Sequence, residues 1–232
     1  MSIDEIPGHL FKNLLKLLFH PFQFFEGRSE HPRLLPPLLL ILGICLIQMA
    51  WYFQVILAGI EQLLGGAGIY PTKEYILWSI LQITLGPAFY WIAFTAIIFV
   101  ISAPLRGKGS FSRLFAYTAY GILVGYMISL IQAIFSVLAG RQIMHEVSRL
   151  MMGSGYLSFP NLATEPTIAV FWMVFWLIGT VGFVWTFIVH VAATQYGRYI
   201  PRTHALLTVI LAFVCMYGVV WMQVLFVRHI IT

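Results

Sequence analysis

Charge is what this chain has least of. Of its 232 residues only 9% are Asp, Glu, Lys or Arg, while 60% are apolar; soluble globular proteins carry roughly 25% charged residues. An ordinary soluble domain is therefore excluded, and the places where charge is missing altogether become informative. None of the four charged types occurs in Leu34–Ile60, Tyr75–Leu105, Leu114–Gly140, Pro166–Gly197 or Thr203–Val227. Each run exceeds the roughly 20 apolar residues that cross a bilayer as a helix. The expectation is an all-α integral membrane protein with five transmembrane helices, at about 34–60, 75–103, 112–139, 166–195 and 204–227. An odd number of spans puts the two termini on opposite sides.

Other absences narrow the chemistry. All eight acidic residues lie outside the apolar runs, so no intramembrane carboxylate is available for proton coupling or an aspartyl mechanism. His145-Glu146 begins like a zinc-protease helix, but Arg149 stands where the second histidine would have to be. Ser154 sits between two glycines without the remaining nucleophile-elbow pattern, and there is no phosphate-binding loop. The two cysteines, Cys45 and Cys215, both fall within apolar runs and read as small hydrophobes, with no disulfide. No catalytic residue, metal site or cofactor is expected. A cleaved signal peptide is not expected either, because Lys16 and His20-Pro21 interrupt the apolar stretch near the start.

What charge there is carries a pattern. The net charge is +5, which in a soluble chain would raise the question of nucleic acid, but here the basic residues are sorted by loop. The N-terminal arm has four (Lys12, Lys16, Arg28, Arg33), the second loop three (Arg106, Lys108, Arg113) and the fourth two (Arg198, Arg202). The alternate segments hold Lys73, Arg141, Arg149 and Arg228. Nine against four predicts a cytoplasmic N-terminus and an external C-terminus, because Lys and Arg in short loops are retained inside. The excess charge is then an orientation and lipid-surface signal rather than a nucleic-acid one, and the expected partner is the bilayer itself.

Two domains follow. Residues 1–33 form an arm in which Leu10, Leu14, Leu17 and Leu18 share one helical face and Lys12, Asn13 and Lys16 the other. That predicts a cytoplasmic interfacial helix with its leucines in the acyl boundary, and Phe22, Phe24 and Phe25 continuing along the interface after Pro21. A helix packed on the underside of the bundle is the other reading. Residues 34–232 form the transmembrane domain. Its longest loop, the third, holds a second amphipathic pattern in which Ile143, Met144, Val147, Leu150 and Met151 lie opposite Arg141, Glu146 and Arg149, so a second interfacial helix is expected there. Gly86-Pro87, at the centre of the second span, predicts a kink.

Polar and small residues inside the spans supply the site candidates. Gln48 and Gln54 either line a pore or bond between helices, the second being the common use. Thr186, His190 and Thr194, spaced at i to i+4, form one stripe of the fourth span, with Gln195 beside it. His190 is the one ionisable group well inside a span, about 10 Å from its end at 1.5 Å per residue. It is expected to be neutral and hydrogen-bonded to a neighbouring helix. Gly121 and Gly125 have the GxxxG spacing that admits a close helix, from this chain or from a second copy.

The hairpin GKGSFSRLFAYTAYG after the second span, the segment HPFQFFEG after the arm, the five runs and the basic turn before the last span together resemble the Yip family of multi-pass membrane proteins in its short prokaryotic form. The resemblance implies a five-helix integral membrane fold with a cytoplasmic N-terminus, in a prokaryotic cell membrane. Eukaryotic members are linked to Rab-type GTPases and carry a longer N-terminal region with a Tyr-Gly-Pro motif. The nearest fragment here, Tyr196-Gly197 followed by Pro201, lies elsewhere, so GTPase binding is not implied. Gly121 also stands near a point where the family often has proline. The functional expectation is a non-catalytic protein that organises membrane lipid or partner proteins, alone or as a homo-oligomer. The alternative is a small transporter, channel or permease subunit with a polar path near His190.

Overall fold

The structure, a computed structural model, describes residues 6–26, 38–39, 41–43, 45–46, 73–138 and 166–231. Gln48, Gln54 and the amphipathic pattern of the third loop lie outside the described residues. No strand occurs among the described residues; six helices, α1 (Ile6–Phe19), α2 (Pro21–Glu26), α3 (Lys73–Ser102), α4 (Phe111–Leu138), α5 (Pro166–Arg198) and α6 (Arg202–Ile231), are joined by short turns where the connection is described, and residues 38–39, 41–43 and 45–46 are helical as well. Three apolar stretches, Leu85–Ser102, Phe111–Gln132 and Ala169–Arg198, are long enough to cross a membrane, and Arg202–Gly218 adds a shorter one.

Local chemistry sets the ends of these helices. Ser110 caps α4, its Oγ accepting the Arg113 N–H at 3.3 Å, which occupies one of the amide donors that every helix start leaves unpaired. The C-terminus of α3 closes with two bonds, Gly107 N–H to the Ser102 carbonyl at 3.1 Å and Arg106 N–H to the Ala103 carbonyl at 3.2 Å. Arg106 sits in the left-handed region with φ 63°, so this is a Schellman ending with arginine in place of the usual glycine. The C-terminus of α5 ends alike: Ile200 N–H reaches the Gln195 carbonyl at 3.2 Å, Tyr199 has φ 54°, and Pro201 follows. At Gly86-Pro87 α3 continues without interruption, as one helix of 30 residues with Pro87 inside it.

The chain divides into two compact units, Met1–Leu123 with Phe187–Thr232, and Val124–Thr186. The core of the first comprises Phe94 and Ile98 of α3, Leu114 of α4, Val191 of α5, and Ile200, Ala205, Val209, Ala212 and Met216 at the start of α6 and along it. α3 packs along α6, and the alanines on α6 let the backbones approach, as small residues do between membrane helices. A second tie joins α3 to α4. Trp91 Nε1 donates to the Phe115 carbonyl at 2.9 Å and to Thr118 Oγ1 at 3.2 Å, and the Thr95 and Thr118 hydroxyls are 2.7 Å apart. In the second unit, Phe135 and Phe171 stack with centroids 5.2 Å apart, and Gln132 Nε2 donates to the Phe175 carbonyl at 3.2 Å. Large apolar side chains point outward along the helices, Met173 at 71% exposure and Val100 at 68% among them; such surface suits acyl chains and is seldom left on a soluble monomer.

The N-terminal arm corrects one expectation. Phe24 and Phe25 do not continue along a lipid surface; both are buried, their rings meeting Tyr120 and Tyr117 of α4 at 5.1 Å in each case. Leu17, assigned to the lipid face, is buried too. Aromatic and aliphatic side chains of the arm thus gain more from the protein's own apolar surface than from the headgroup boundary. Lys12 and Lys16 are exposed.

Candidate functional site: an arginine joint and the His190 stripe

The basic residues of the two short turns do not all face outward. Arg198, at the last turn of α5, is 3% exposed, and its guanidinium is surrounded by the loop between α3 and α4. Nε donates to Ser102 Oγ at 2.8 Å, Nη2 to the Gly107 carbonyl at 2.8 Å and Nη1 to the Gly109 carbonyl. The plane lies 4.1 Å from the centroid of Phe99. The backbone reciprocates, with Lys108 and Gly109 N–H groups donating to the Arg198 carbonyl at 2.9 and 3.3 Å. A single residue therefore donates and accepts across one seam. Two of its acceptors, the Ser102 hydroxyl and the Gly107 carbonyl, belong to the C-terminal end of α3 and its Schellman turn, where the helix dipole favours a cation. The planar fork with five N–H donors suits this set of three acceptors in a way an ammonium does not.

Two glycines make the seam possible. A Cβ on Gly109 would overlap the Gly197 carbonyl oxygen, and one on Gly107 would stand 2.8 Å from Arg198 Nε and 2.9 Å from the Ser102 carbonyl oxygen. Backbone lies directly against backbone here, and no side chain fits between.

Arg113, also buried, donates from Nη1 to the Tyr199 hydroxyl, with its guanidinium carbon 4.3 Å from that ring's centroid and 5.2 Å from that of Tyr117. Its Nε has no partner. The contact explains why a tyrosine occupies the left-handed position at the end of α5. The conformation costs about 1 kcal/mol for a residue other than glycine, and the ring sets an aromatic face and a hydroxyl on Arg113. Arg202 lies 4.0 Å over the ring of Phe22 and remains exposed, as do Arg106 and Lys108. Of the basic residues read as orientation or lipid-surface signals, Arg113 and Arg198 are buried and engaged by protein, and Lys12, Lys16, Arg106, Lys108 and Arg202 are exposed.

The stripe on α5 is a different kind of place. His190 is 1% exposed, and its ring meets Phe94 at 4.7 Å and Phe213 at 6.0 Å, both edge-on. Gly121 is its floor: a Cβ there would be 2.5 Å from the imidazole. The expected hydrogen bond is not formed, since neither ring nitrogen has a partner, and the Thr194 hydroxyl and Gln195 Oε1 are likewise buried without one. Aromatic faces and a glycine surround the ring where a hydrogen-bond partner on a neighbouring helix was expected. Thr186 belongs to the second unit, where a Cβ on Gly125 would be 3.6 Å from its side chain. Both glycines of the GxxxG pair are thus used for helix packing within the chain. Among the described residues, no group of three His, Cys, Asp or Glu side chains is placed to hold a metal ion.

Reasoning from sequence passed over Ser102 and the Trp91–Thr95–Thr118 tie. Trp91 and Thr95 are four residues apart, which is a detectable spacing, but their partner lies on another helix with no local signal.

The model of the Yip1 domain matches residues 15–222, nearly the whole chain. Comparison with curated proteins and comparison with solved structures each give no match.

Proposed function

Because this chain belongs to the Yip1 domain family, we propose that it is a non-catalytic membrane protein with five spans that organises lipid or partner proteins, its N-terminus cytoplasmic and its C-terminus external, in a prokaryotic cell membrane. One observation carries the reading. The strongest charges buried in the described part, Arg198 and Arg113, are spent on holding the turns together, through carbonyls, hydroxyls and aromatic faces, and are not displayed towards a substrate. A rigid end closed by a tight backbone seam suits a scaffold on which other molecules assemble. Homo-oligomers and membrane-protein partners fit equally well with the apolar outer faces of α5 and α6.

A second reading, a small transporter, channel or permease subunit, draws on the buried, unpartnered polar atoms of His190, Thr194 and Gln195. Unpaired polar groups inside a membrane protein often mark a pathway. Purified protein in sealed vesicles separates the two. The organiser reading expects no ion or solute flux above that of empty vesicles; flux that His190→Gln abolishes would replace it with the polar path.

A further inference from the structure

The burial of α1 reverses the face on which the arm would meet a membrane, and we infer that the exposed Lys12–Leu15–Lys16–Phe19 face of α1 is the docking surface for an anionic lipid leaflet. The inference rests on the reading of this chain as an integral membrane protein, and it specifies which side chains meet the lipid.

At about 100° per residue, Lys12, Leu15, Lys16 and Phe19 fall within roughly a 100° sector of the helix. Leu17 lies on the opposite side, and Leu14 and Leu18 beyond the edge of the sector. Burial follows that division. Leu17 is 1% exposed, whereas Phe19 is 66% and Leu15 38% exposed; Lys12 and Lys16 are exposed and Leu14 and Leu18 half-buried. The side that carries Leu17 is therefore covered by protein, with Leu14 and Leu18 partly so, and the free side alternates apolar and cationic groups.

Two observations identify the occupant. The first is charge: Ile6 to Phe25 contains no acidic residue, the acidic residues of the arm lying beyond it at Asp4, Glu5, Glu26 and Glu30, so the face that carries Lys12 and Lys16 is locally cationic and complements an anionic surface. The second is reach. α2 continues from α1 across a joint closed by His20 N–H to the Lys16 carbonyl at 2.8 Å and Phe24 N–H to the His20 carbonyl at 3.0 Å. Its Phe24 and Phe25 dock on Tyr117 and Tyr120, residues inside the membrane-length stretch Phe111–Gln132 and within about 14 Å of its start at 1.5 Å per residue. α2 thereby tethers α1 to the membrane-length stretch and keeps it within reach of the leaflet, where the lysines engage anionic headgroups and Phe19 and Leu15 then enter acyl chains.

The test uses the full-length protein with Cys45→Ala and Cys215→Ala, the only cysteines, carrying one nitroxide-labelled cysteine at position 14, 15 or 19. Collision with oxygen reports lipid and collision with a nickel chelate reports water, in vesicles of phosphatidylcholine with or without phosphatidylglycerol. Labels at Phe19→Cys and Leu15→Cys should move from water to lipid when phosphatidylglycerol is present. Lys12→Gln with Lys16→Gln should reverse the move, lowering the docked-to-undocked ratio roughly 30-fold, about fivefold per lysine. Labels at 15 and 19 that stay in water in both vesicles, or are shielded from both reagents, overturn the inference; so does a label at Leu14→Cys that enters lipid in their place. A photoreactive benzoylphenylalanine at position 19, with both cysteines kept, should yield a phosphatidylglycerol adduct on illumination, and adducts to protein alone would overturn the inference independently. Solute flux, which would sink the organiser reading, leaves these outcomes untouched.

Discussion

Arg198 and His190 lie about two turns apart on α5, both buried, and the chain surrounds them in opposite ways. Every nitrogen of Arg198 donates, to one hydroxyl and two carbonyls; neither nitrogen of His190 has a partner. The difference follows from what each group can do about its charge. A guanidinium cannot be deprotonated in a protein, so removing it from water is tolerable only with its donors satisfied. An imidazole can be neutral, and a neutral ring packs among Phe94, Phe213 and Gly121 largely as an aromatic body. Depth adds to the contrast, since Arg198 sits at a helix end where unpaired carbonyls are plentiful, while His190 is within a helix whose carbonyls are already used.

The sharpest way to break this comparison is at the seam itself. Gly109→Ala places a methyl group on the Gly197 carbonyl oxygen. Neither side of that contact is a flexible side chain, so relief requires the loop and the end of α5 to separate, taking the three Arg198 bonds with them. The expected loss exceeds about 4 kcal/mol, the range of severe core lesions, and thermal melting in detergent should find little folded protein. A melting curve like the parent's would mean that the seam is loose and that Arg198 is not enclosed.

A smaller effect distinguishes fork from charge. Arg198→Met leaves Ser102 Oγ and the carbonyls of Gly107 and Gly109 without their donors, at a cost of about 3 to 5 kcal/mol for breaking a buried charged assembly. Arg198→Lys keeps the charge but concentrates its three donors at one nitrogen, which cannot reach acceptors spread around a plane. It should recover less than half of that loss. Equal stability of Arg198→Lys and the parent would reduce the joint to a point charge near a helix end.

Much of this fold was legible in the sequence because a charge-free run of membrane length has little use except to cross a bilayer. The stretches at 75–103, 112–139, 166–195 and 204–227 each correspond to a described helix, and the basic turns fall where α3 meets α4 and α5 meets α6. Family membership was legible in the hairpin and in HPFQFFEG. The joint was less so. Arg198 and Gly109 are 89 positions apart, and nothing local to either announces a hydrogen bond; what composition offered was arginine in a short loop, for which orientation is the general meaning. The face of α1 was misread for a related reason. Amphipathic spacing says that leucines share a side, but not whether lipid or the chain's own apolar surface covers it, and the burial of Leu17 has no signature in the spacing. His190 was found by its rarity inside an apolar run, whereas its aromatic surroundings come from α3 and α6 and have no signature on α5.

The mildest changes probe the His190 end. Gly121→Ala brings a methyl group within 2.5 Å of the ring, an overpacking expected to cost about 1 to 3 kcal/mol. If the ring is the obstacle, His190→Ala should relieve it, so that the double variant is more stable than the sum of the single losses predicts, with a coupling of about 1 kcal/mol or more. Independence of the two losses would place the strain elsewhere. His190→Leu then asks what the nitrogens contribute. With no partner to lose, it should stay within about 1 kcal/mol of the parent, in the range of apolar swaps that conserve volume. His190→Gln carries an amide with two donors among aromatic rings and should be the less stable of the two by about 1 to 3 kcal/mol. The opposite order, with leucine worse than glutamine, would mean that the imidazole holds a hydrogen-bond partner in the membrane, and the contrast between a satisfied arginine and an unsatisfied histidine would give way to two polar sites of the same kind.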